Sequence, residues 1–217
     1  MQNSIILFDL DGTLIDSTEA VYESFCFAFK HFNQDIPTFD SVTSQIGHTL
    51  DTMFSVLGVK ENAILEYISI YKEHYRQICN AKTTLLPYAK EAILEAYSFA
   101  HLGVVTTKTG QYSKMLLDHM GVGNYFTCIV GRENVTHPKP NAEPILKALE
   151  AFSPLPKENI FMIGDTPLDI QAANNANIQS IGVLSGYATL ETLQRYTKNI
   201  KNNALEAVQS IKSRLKQ

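Results

Sequence analysis

Cysteine is scarce in this 217-residue sequence, which contains only Cys26, Cys79 and Cys128. The three residues are widely spaced and none belongs to a C-x-x-C pair, so the sequence disfavours both a disulfide framework and a zinc cluster. We expect buried, apolar thiols of a protein that resides in a reducing compartment.

Long apolar runs and basic blocks are absent as well. No stretch approaches the roughly 20 apolar residues that a helix needs to cross a bilayer. The apolar run near the N-terminus has four residues and no basic segment before it, unlike a signal peptide. The net charge is −4, which disfavours a nucleic-acid or membrane surface. We expect a cytoplasmic protein that is a monomer or a weak homodimer.

Strand-like and helix-like patterns alternate along most of the chain, which is typical of an α/β fold with a parallel sheet. The length suits one large domain or a core with a small insert, and the hydrophobic content of 45% suits a globular core. Right-handed crossovers through the intervening helices would keep the strands parallel. The predicted strands are residues 4–8, 102–106, 126–130, 159–163 and 179–183.

Residues 16–86 depart from this alternation, because they show helical periodicity and no convincing strand. Asp16 and Glu19 form a variant of the capping box at the start of the first helix. The apolar stripes are sufficient for a small four-helix bundle. The helical patterns are residues 16–32, 39–44, 50–57 and 64–78. We predict a helical cap domain at 16–86, inserted into a core domain formed by 1–15 and 87–217.

Two carboxylates follow the first predicted strand. Asp9 and Asp11 come directly after Ile5–Phe8 and before Gly12, and alternation along an extended chain points both side chains the same way. The carboxyl end of a strand in an open α/β sheet faces the ligand-binding crevice. Close carboxylates repel unless a cation or a proton lies between them. This position favours a functional site over two aspartates that only cap the next helix.

A second acidic pair follows another apolar strand. Asp165 lies at the predicted strand tip, and Thr166, Pro167 and Asp169 look like an N-cap, a first-turn proline and a capping carboxylate. Capping alone explains Asp169 but does not explain Asp165. Oxygen ligands from several acids in one crevice suit Mg²⁺.

Two further segments supply groups that suit an anion. Thr106 and Thr107 end a predicted strand shortly before a helix, where backbone N–H groups and a hydroxyl are typical of a phosphate site. Lys139 lies between Pro138 and Pro140, which restrict the backbone on both sides. A lysine that only contacts solvent needs no such restriction, so we interpret Lys139 as functional.

In this order the motifs resemble the haloacid dehalogenase superfamily. They are Asp9–Thr13 after a strand, Thr106 on the next core strand, Lys139 between prolines, and Gly164–Asp169 after another strand. The resemblance implies a Rossmann-like core with an inserted helical cap of the C1 type. It also implies Mg²⁺-dependent phosphoryl transfer, since dehalogenating members lack the second acid of the first motif and Asp11 is present here.

The resemblance also implies catalytic roles. Asp9 would be the nucleophile that forms an aspartyl-phosphate. Asp11 would protonate the leaving alcohol and then deprotonate the attacking water. Thr106, Thr107 and Lys139 would bind the phosphoryl group, with Lys139 acting most strongly in the transition state.

For the metal, the resemblance implies a site built on the two acidic motifs. Mg²⁺ would be held by the carboxylates of Asp9 and Asp165 and by the backbone carbonyl of Asp11. Asp169 would orient the water ligands of the metal or the ammonium group of Lys139.

Within the superfamily, residues 11–17 and 182–190 resemble phosphoglycolate phosphatases. Thr107 stands where that branch usually has asparagine, and Thr-Thr-Lys also resembles a bacterial pyrophosphatase branch. His48 follows Gly47 in a cap turn that would face the site, so it is a candidate substrate contact, although a surface turn explains it equally well.

We therefore predict a Mg²⁺-dependent phosphatase that acts on a small phosphorylated metabolite and resembles phosphoglycolate phosphatases. Pyrophosphatase and β-phosphoglucomutase-like phosphotransferase activity on the same core are the alternatives. A signalling receiver domain is disfavoured, because its phosphoacceptor lies on a middle strand and it has neither an equivalent of Asp11 nor a helical insert.

Overall fold

The computed structural model describes residues 2–215. The strands are β1 Ile5–Phe8, β2 Ile15–Asp16, β3 Thr84–Leu85, β4 His101–Val105, β5 Cys128–Val130, β6 Ile160–Gly164, β7 Gln179–Val183 and β8 Ile200–Lys201. The α-helices are α1 Thr18–His31, α2 Phe39–Thr43, α3 Leu50–Val56, α4 Ile64–Ile78, α5 Ala89–Tyr97, α6 Gly110–His119, α7 Glu143–Leu149, α8 Pro167–Asn175, α9 Leu190–Gln194 and α10 Ala204–Arg214. Among these helices, none has the length and apolarity to cross a membrane.

Six strands form one sheet in the order β5-β4-β1-β6-β7-β8, and all neighbouring pairs are parallel. The predicted α/β class with a Rossmann-like parallel sheet is confirmed, and each of the five predicted strands overlaps an observed one. Strand β8 was not predicted, because two residues at a sheet edge are too short to show a period.

The first strand lies in the middle of the sheet. All four of its residues are at most 1% exposed, since helices cover both faces, and this explains why its sequence is apolar without alternation. In the register of the sheet, Phe8 is paired with Val104 on one side and Ile163 on the other. The residues that follow these three strands therefore meet at the same edge.

Four helices occupy most of the segment between β2 and β3, at the four places where helical patterns were predicted. Helices α1 and α4 pack against each other, and α3 packs on α4. Aromatic rings fill the space between them; the Phe25 ring centroid lies 4.5 Å from that of Phe54 and 5.0 Å from that of Tyr71. We call α1–α4 the cap, and the division into core and cap domains at 16 and 86 stays a prediction.

The expectation that residues 16–86 contain no strand was wrong at both ends of the segment. Strand β2 pairs with β3 in an antiparallel two-stranded sheet, with Ile15 opposite Leu85 and Asp16 opposite Thr84. Each strand is two residues long, so the sequence contains no detectable alternation. The pairing arises because the two connections between core and cap run side by side.

The start of α1 also differs from the predicted capping box. Ser17 is the N-cap residue, and Asp16 accepts a hydrogen bond from the backbone N–H of Thr18 at 2.9 Å. Glu19 does not reach back to the helix start, because its carboxylate lies 2.5 Å from Lys82 Nζ. The hydroxyl of Ser17 is directed to Asp11 instead.

Candidate active site

Three neighbouring strands bring the predicted site residues to one edge of the sheet. Asp9 follows β1, Thr106 follows β4 and Asp165 follows β6, while Lys139 comes from the loop between β5 and α7. All four side chains are buried, with at most 5% of each residue exposed. The sheet topology thus gathers residues that are up to 156 positions apart in the chain.

Lys139 is the centre of this arrangement. Its ammonium nitrogen donates hydrogen bonds to Asp9 Oδ1 at 2.8 Å, to Asp169 Oδ1 at 2.5 Å and to the backbone carbonyl of Val105 at 3.1 Å. Three acceptors match the three N–H bonds of an ammonium group. Lys139 is therefore fixed in direction and directly beside Asp9.

Asp169 both caps a helix and orients Lys139. Its Oδ2 atom accepts hydrogen bonds from the backbone N–H and the hydroxyl of Thr166, at 3.0 and 2.7 Å, at the start of α8. Its Oδ1 atom accepts from Lys139. The cap and the contact with Lys139 are thus made by different oxygens of one carboxylate, and the role of Asp169 beside a metal stays a prediction.

Asp165 is held by two donors and by a close approach of the backbone. The hydroxyl of Thr13 donates to Oδ1 at 3.0 Å, and the backbone N–H of Tyr187 donates to Oδ2 at 2.9 Å. Gly12 lies against this carboxylate with φ of +82°, and a Cβ atom there would be 2.4 Å from Asp165 Oδ2. Glycine is required here both by its backbone conformation and by the space available.

Burial determines the electrostatics of the cluster. It raises the pKa of Asp9 to about 7; Asp169 and Asp11 add to the rise and the charge of Lys139 opposes it. Burial, with the charges of Asp9 and Asp169, also raises the pKa of Asp165 well above its usual range. For Lys139, burial favours the neutral form, but the carboxylates of Asp169 and Asp9 outweigh it and raise its pKa.

The cluster fits a divalent cation. Asp9, Asp165 and Asp169 each offer a carboxylate oxygen, and these three oxygens lie within 4.8 Å of one another. Lys139 is the only cation that contacts any of these three carboxylates among residues 2–215, so three acids share one positive charge. Oxygen donors and an excess of buried negative charge are what Mg²⁺ requires. Asp9 accepts a hydrogen bond on one oxygen only, and Asp165 has no cationic partner among residues 2–215, so these two carboxylates are the better ligands.

Asp11 lies outside that group of oxygens and has its own partners. Its Oδ2 atom is 3.0 Å from Lys108 Nζ, and its Oδ1 atom accepts a hydrogen bond from Ser17. Lys108 Nζ also lies 4.9 Å from the ring centroid of Tyr75 in α4. No role for Lys108 was predicted from the sequence, although its position directly after two hydroxyl residues at a strand end was a usable signal.

The predicted phosphate-binding threonines differ in their contacts. Thr106 Oγ1 accepts from the backbone N–H of Lys108 at 3.1 Å, so its hydroxyl hydrogen can still be donated. Thr107 donates its hydroxyl to the backbone carbonyl of Gly47 in the cap at 2.9 Å. Phosphate binding by Thr107 stays a prediction, and in this conformation it would have to use the backbone N–H.

The following helix offers less to an anion than the sequence suggested. The carboxylate of Glu133 accepts hydrogen bonds from the backbone N–H of Gly110 at 2.9 Å and of Gln111 at 3.4 Å, at the start of α6. These amides are thus occupied by a protein carboxylate. A phosphate contact on this side depends on the loop at 106–108 and not on the helix N-terminus.

A cavity of about 120 Å³ lies between cap and core beside Asp11. His48 lines it, as do Lys108 and Tyr75. His48 lines the same cavity as the predicted acid/base residue and is also exposed to solvent, so its position agrees with both interpretations made from the sequence. Its contact with a substrate stays a prediction.

Comparisons with known proteins give a consistent result. Residues 6–183 match a family described as haloacid dehalogenase-like hydrolase. The chain is 32% identical over 191 residues to a phosphoglycolate phosphatase of Aquifex aeolicus, covering 87% of this chain and 88% of that protein. It is 32% identical over 196 residues to the pyrophosphatase PpaX of Bacillus mycoides, covering 88% and 89%. A haloacid dehalogenase-like hydrolase of Streptococcus pneumoniae has a similar structure, with a TM-score of 0.85 at 26% identity, covering 96% of this chain and 98% of that one.

Proposed function

The chain belongs to the haloacid dehalogenase-like hydrolase family and is a phosphatase, and from this premise we propose that it hydrolyses a small phosphate monoester through an aspartyl-phosphate on Asp9, with Mg²⁺ as cofactor. The observation that carries the proposal is the position of Lys139, 2.8 Å from Asp9 and 2.5 Å from Asp169 at the edge where three strands end. A buried lysine there orients the nucleophile and supplies positive charge for a phosphoryl group.

The reaction proceeds in two displacements. A carboxylate oxygen of Asp9 attacks phosphorus, the bond between phosphorus and the leaving oxygen breaks, and Asp11 gives that oxygen a proton. Water then attacks phosphorus while Asp11 takes a proton from it, and the bond to Asp9 breaks. The products are the alcohol and inorganic phosphate, and both aspartates return to their starting state.

Two side chains stabilise the transferring group. Lys139 places a fixed positive charge beside Asp9, where negative charge develops on the phosphoryl oxygens. Thr106 lies at the end of the neighbouring strand. Its oxygen accepts a hydrogen bond from the backbone N–H of Lys108, so its hydroxyl hydrogen is available to the phosphoryl group. Because both residues are buried, their interactions with the phosphoryl group are weakened little by water.

The carboxylates of Asp9 and Asp165 and the backbone carbonyl of Asp11 would hold Mg²⁺, which neutralises charge on the phosphoryl oxygens. Asp169 fixes Lys139 by accepting a hydrogen bond from its ammonium nitrogen. Thr13, Tyr187 and Gly12 keep the Asp165 carboxylate in place.

The similar proteins suggest two alternative leaving groups for the substrate of this protein. Similarity to a phosphoglycolate phosphatase and to a pyrophosphatase is equal at 32% identity, and the Thr106–Lys108 motif resembles that of a bacterial pyrophosphatase branch. Phosphoglycolate phosphatase-like activity is the proposal, with pyrophosphate hydrolysis as the second candidate. Both reactions release a small, anionic product.

Trapping the covalent intermediate tests the proposal. The protein is mixed with an aryl phosphate and Mg²⁺, quenched in acid and digested, and the peptide with Asp9 is analysed by mass spectrometry. We expect a phosphorylated peptide in the native protein and none in Asp9→Asn, which should also lose turnover. The exposed Asp35 is a matched control, and Asp35→Asn should keep both the intermediate and the activity. Activity of Asp9→Asn without deamidation would refute the proposal.

A further inference from the structure

The space available to the leaving group is the cavity beside Asp11. Asp11 must lie next to the leaving oxygen in order to protonate it, and Asp11 is among the residues that line the cavity of about 120 Å³ between cap and core. If Asp11 has this role, the group bonded to that oxygen extends into this cavity. The groups on its walls therefore define which esters fit.

Tyr75 carries an unused polar group at this cavity. It lines the cavity and is 1% exposed, and its hydroxyl has no hydrogen-bond partner among the residues that the structure describes. A buried hydroxyl without a partner costs free energy. Burial raises the pKa of Tyr75, although the nearby charge of Lys108 lowers it, and a phenol hydroxyl carries a hydrogen at neutral pH that it can donate to a ligand.

Lys108 supplies positive charge at the same wall. Its ammonium nitrogen is 3.0 Å from Asp11 and 4.9 Å from the ring centroid of Tyr75. Asp11 is the one ion-pair partner of Lys108 within residues 2–215, and the lysine side chain is 10% exposed. Hydrogen-bond donors are therefore available beside the leaving oxygen.

Two more cations line the cavity. Lys72 in α4 and Arg132 after β5 both face it, and neither forms an ion pair within the part of the chain that the structure describes. Asp51 is the only acid on the walls besides Asp11 among the described residues. The charge around the cavity thus favours an anion.

The volume limits the size of the group. A cavity of about 150 Å³ accommodates a benzene ring, and this one is smaller. The cavity in this conformation therefore suits a leaving group of about half a dozen non-hydrogen atoms or fewer.

We infer that Tyr75 and Lys108 form a leaving-group subsite that binds an anionic substituent, either a carboxylate or a phosphate, so that the substrates are small phosphate esters or anhydrides with an acidic leaving group. The inference rests on the proposed function, because it assumes that hydrolysis occurs beside Asp11. It adds two specificity-determining residues, one from the cap and one from the core.

A matched set of substrates tests the subsite. Phosphoglycolate and 2-hydroxyethyl phosphate differ only in a carboxylate that is replaced by a neutral hydroxymethyl group, and in pyrophosphate the leaving group is itself a phosphate. We expect the native protein to prefer an anionic substrate over 2-hydroxyethyl phosphate in kcat/KM. Tyr75→Phe and Lys108→Met should each lower that preference by about tenfold or more, as expected for a lost hydrogen bond to a charged group. Tyr67→Phe, on the same helix but outside the cavity, should keep it.

The possible outcomes differ in what they overturn. Preference for phosphoglycolate assigns the subsite to a carboxylate, and preference for pyrophosphate assigns it to a phosphate. Equal rates on neutral and anionic substrates, or a preference unchanged in folded Tyr75→Phe, would overturn the inference and leave the proposed function intact. If the native protein hydrolyses nothing, calorimetric binding of phosphoglycolate and 2-hydroxyethyl phosphate to Asp9→Asn decides separately: equal affinities would refute the subsite.

Discussion

The hydroxyl of Thr107 donates a hydrogen bond to the backbone carbonyl of Gly47, 2.9 Å away. Thr107 follows β4 in the core, and Gly47 lies in the turn between α2 and α3 of the cap. Gly47 has φ of +106°, and a Cβ atom there would lie 3.0 Å from Thr166 Cγ2. Two core loops thus hold the cap turn that carries His48 over the site.

Thr107→Val should weaken this contact and lower kcat/KM by about two- to tenfold, the effect of one neutral hydrogen bond. Thr107→Ser keeps the hydroxyl and should retain nearly native kinetics. Steady-state kinetics on phosphoglycolate compares the two variants. If Thr107→Ser is as impaired as Thr107→Val, the hydrogen bond to Gly47 is not what matters.

Asp11→Asn should slow the first step least for aryl phosphates, because a good leaving group hardly needs the proton. A general acid/base contributes roughly 10²–10⁴-fold, so alkyl esters should lose about that much. On aryl phosphates, phosphorylated Asp9 should accumulate, since the second step still lacks its base. Rapid-quench analysis measures the accumulation. Equal losses on all esters, with no trapped intermediate, would make Asp11 a structural residue.

Mg²⁺ should raise the thermal stability more at high pH than at low pH. Folding raises the pKa of Asp9 from its ordinary value of 3.8 to about 7, chiefly through burial. Between these values the folded state binds more protons than the unfolded state, so the stability of the metal-free protein falls as the pH rises. Binding of Mg²⁺ requires ionised carboxylates and therefore competes with protons. Melting temperatures with and without Mg²⁺ at about pH 5 and about pH 8 measure this linkage.

Asp165→Asn is the matched variant for that measurement. It removes a proposed ligand and should reduce the gain in melting temperature from Mg²⁺ at the higher pH. A gain of equal size at both pH values in the native protein, or an undiminished gain in Asp165→Asn, would contradict the predicted metal site.

Gly12→Ala should remove activity, because the new Cβ atom would lie 2.4 Å from Asp165 Oδ2 and displace that carboxylate. Gly121 is a suitable control, since its φ is +71° and nothing lies within 4 Å of a Cβ atom built there. Both substitutions introduce backbone strain of about 1–2 kcal/mol, and only the first reaches the site. Turnover and melting temperature are measured for both. Comparable activity of the two variants would show that Asp165 tolerates the displacement.

His48→Ala should change the relative rates among metabolite esters far more than the rate on a small aryl ester. Binding energy from remote parts of a substrate is realised at the reacting centre, and a minimal ester does not reach the cap turn. Kinetics over a panel of phosphate esters measures the change. A uniform change over the panel would assign His48 a structural role.

The sequence was sufficient for the parallel sheet and for the acidic residues that the structure brings together at its edge. Apolar strands followed at once by Asp9 or Asp165 reveal both a buried strand and the end at which its carboxylates lie, because the signal lies within a few consecutive residues. The four helical segments of the cap could be predicted for the same reason, because the periodicity of each lies within one short stretch of the chain. Capping by Asp169 could be predicted from its spacing to Thr166 for the same reason.

Contacts between distant segments could not be predicted in this way. Three contacts of this kind join residues that are far apart in the chain and belong to no common sequence pattern. They are the pairing of β2 with β3, the contact of Lys108 with Asp11 and Tyr75, and the hydrogen bond from Thr107 to Gly47. Each of these contacts depends on how the cap packs against the core, and this arrangement is determined by packing over the whole interface. The sequence by itself therefore determined the strand ends and their acids, and only the tertiary structure decided which partners those acids meet and what lines the cavity beside them.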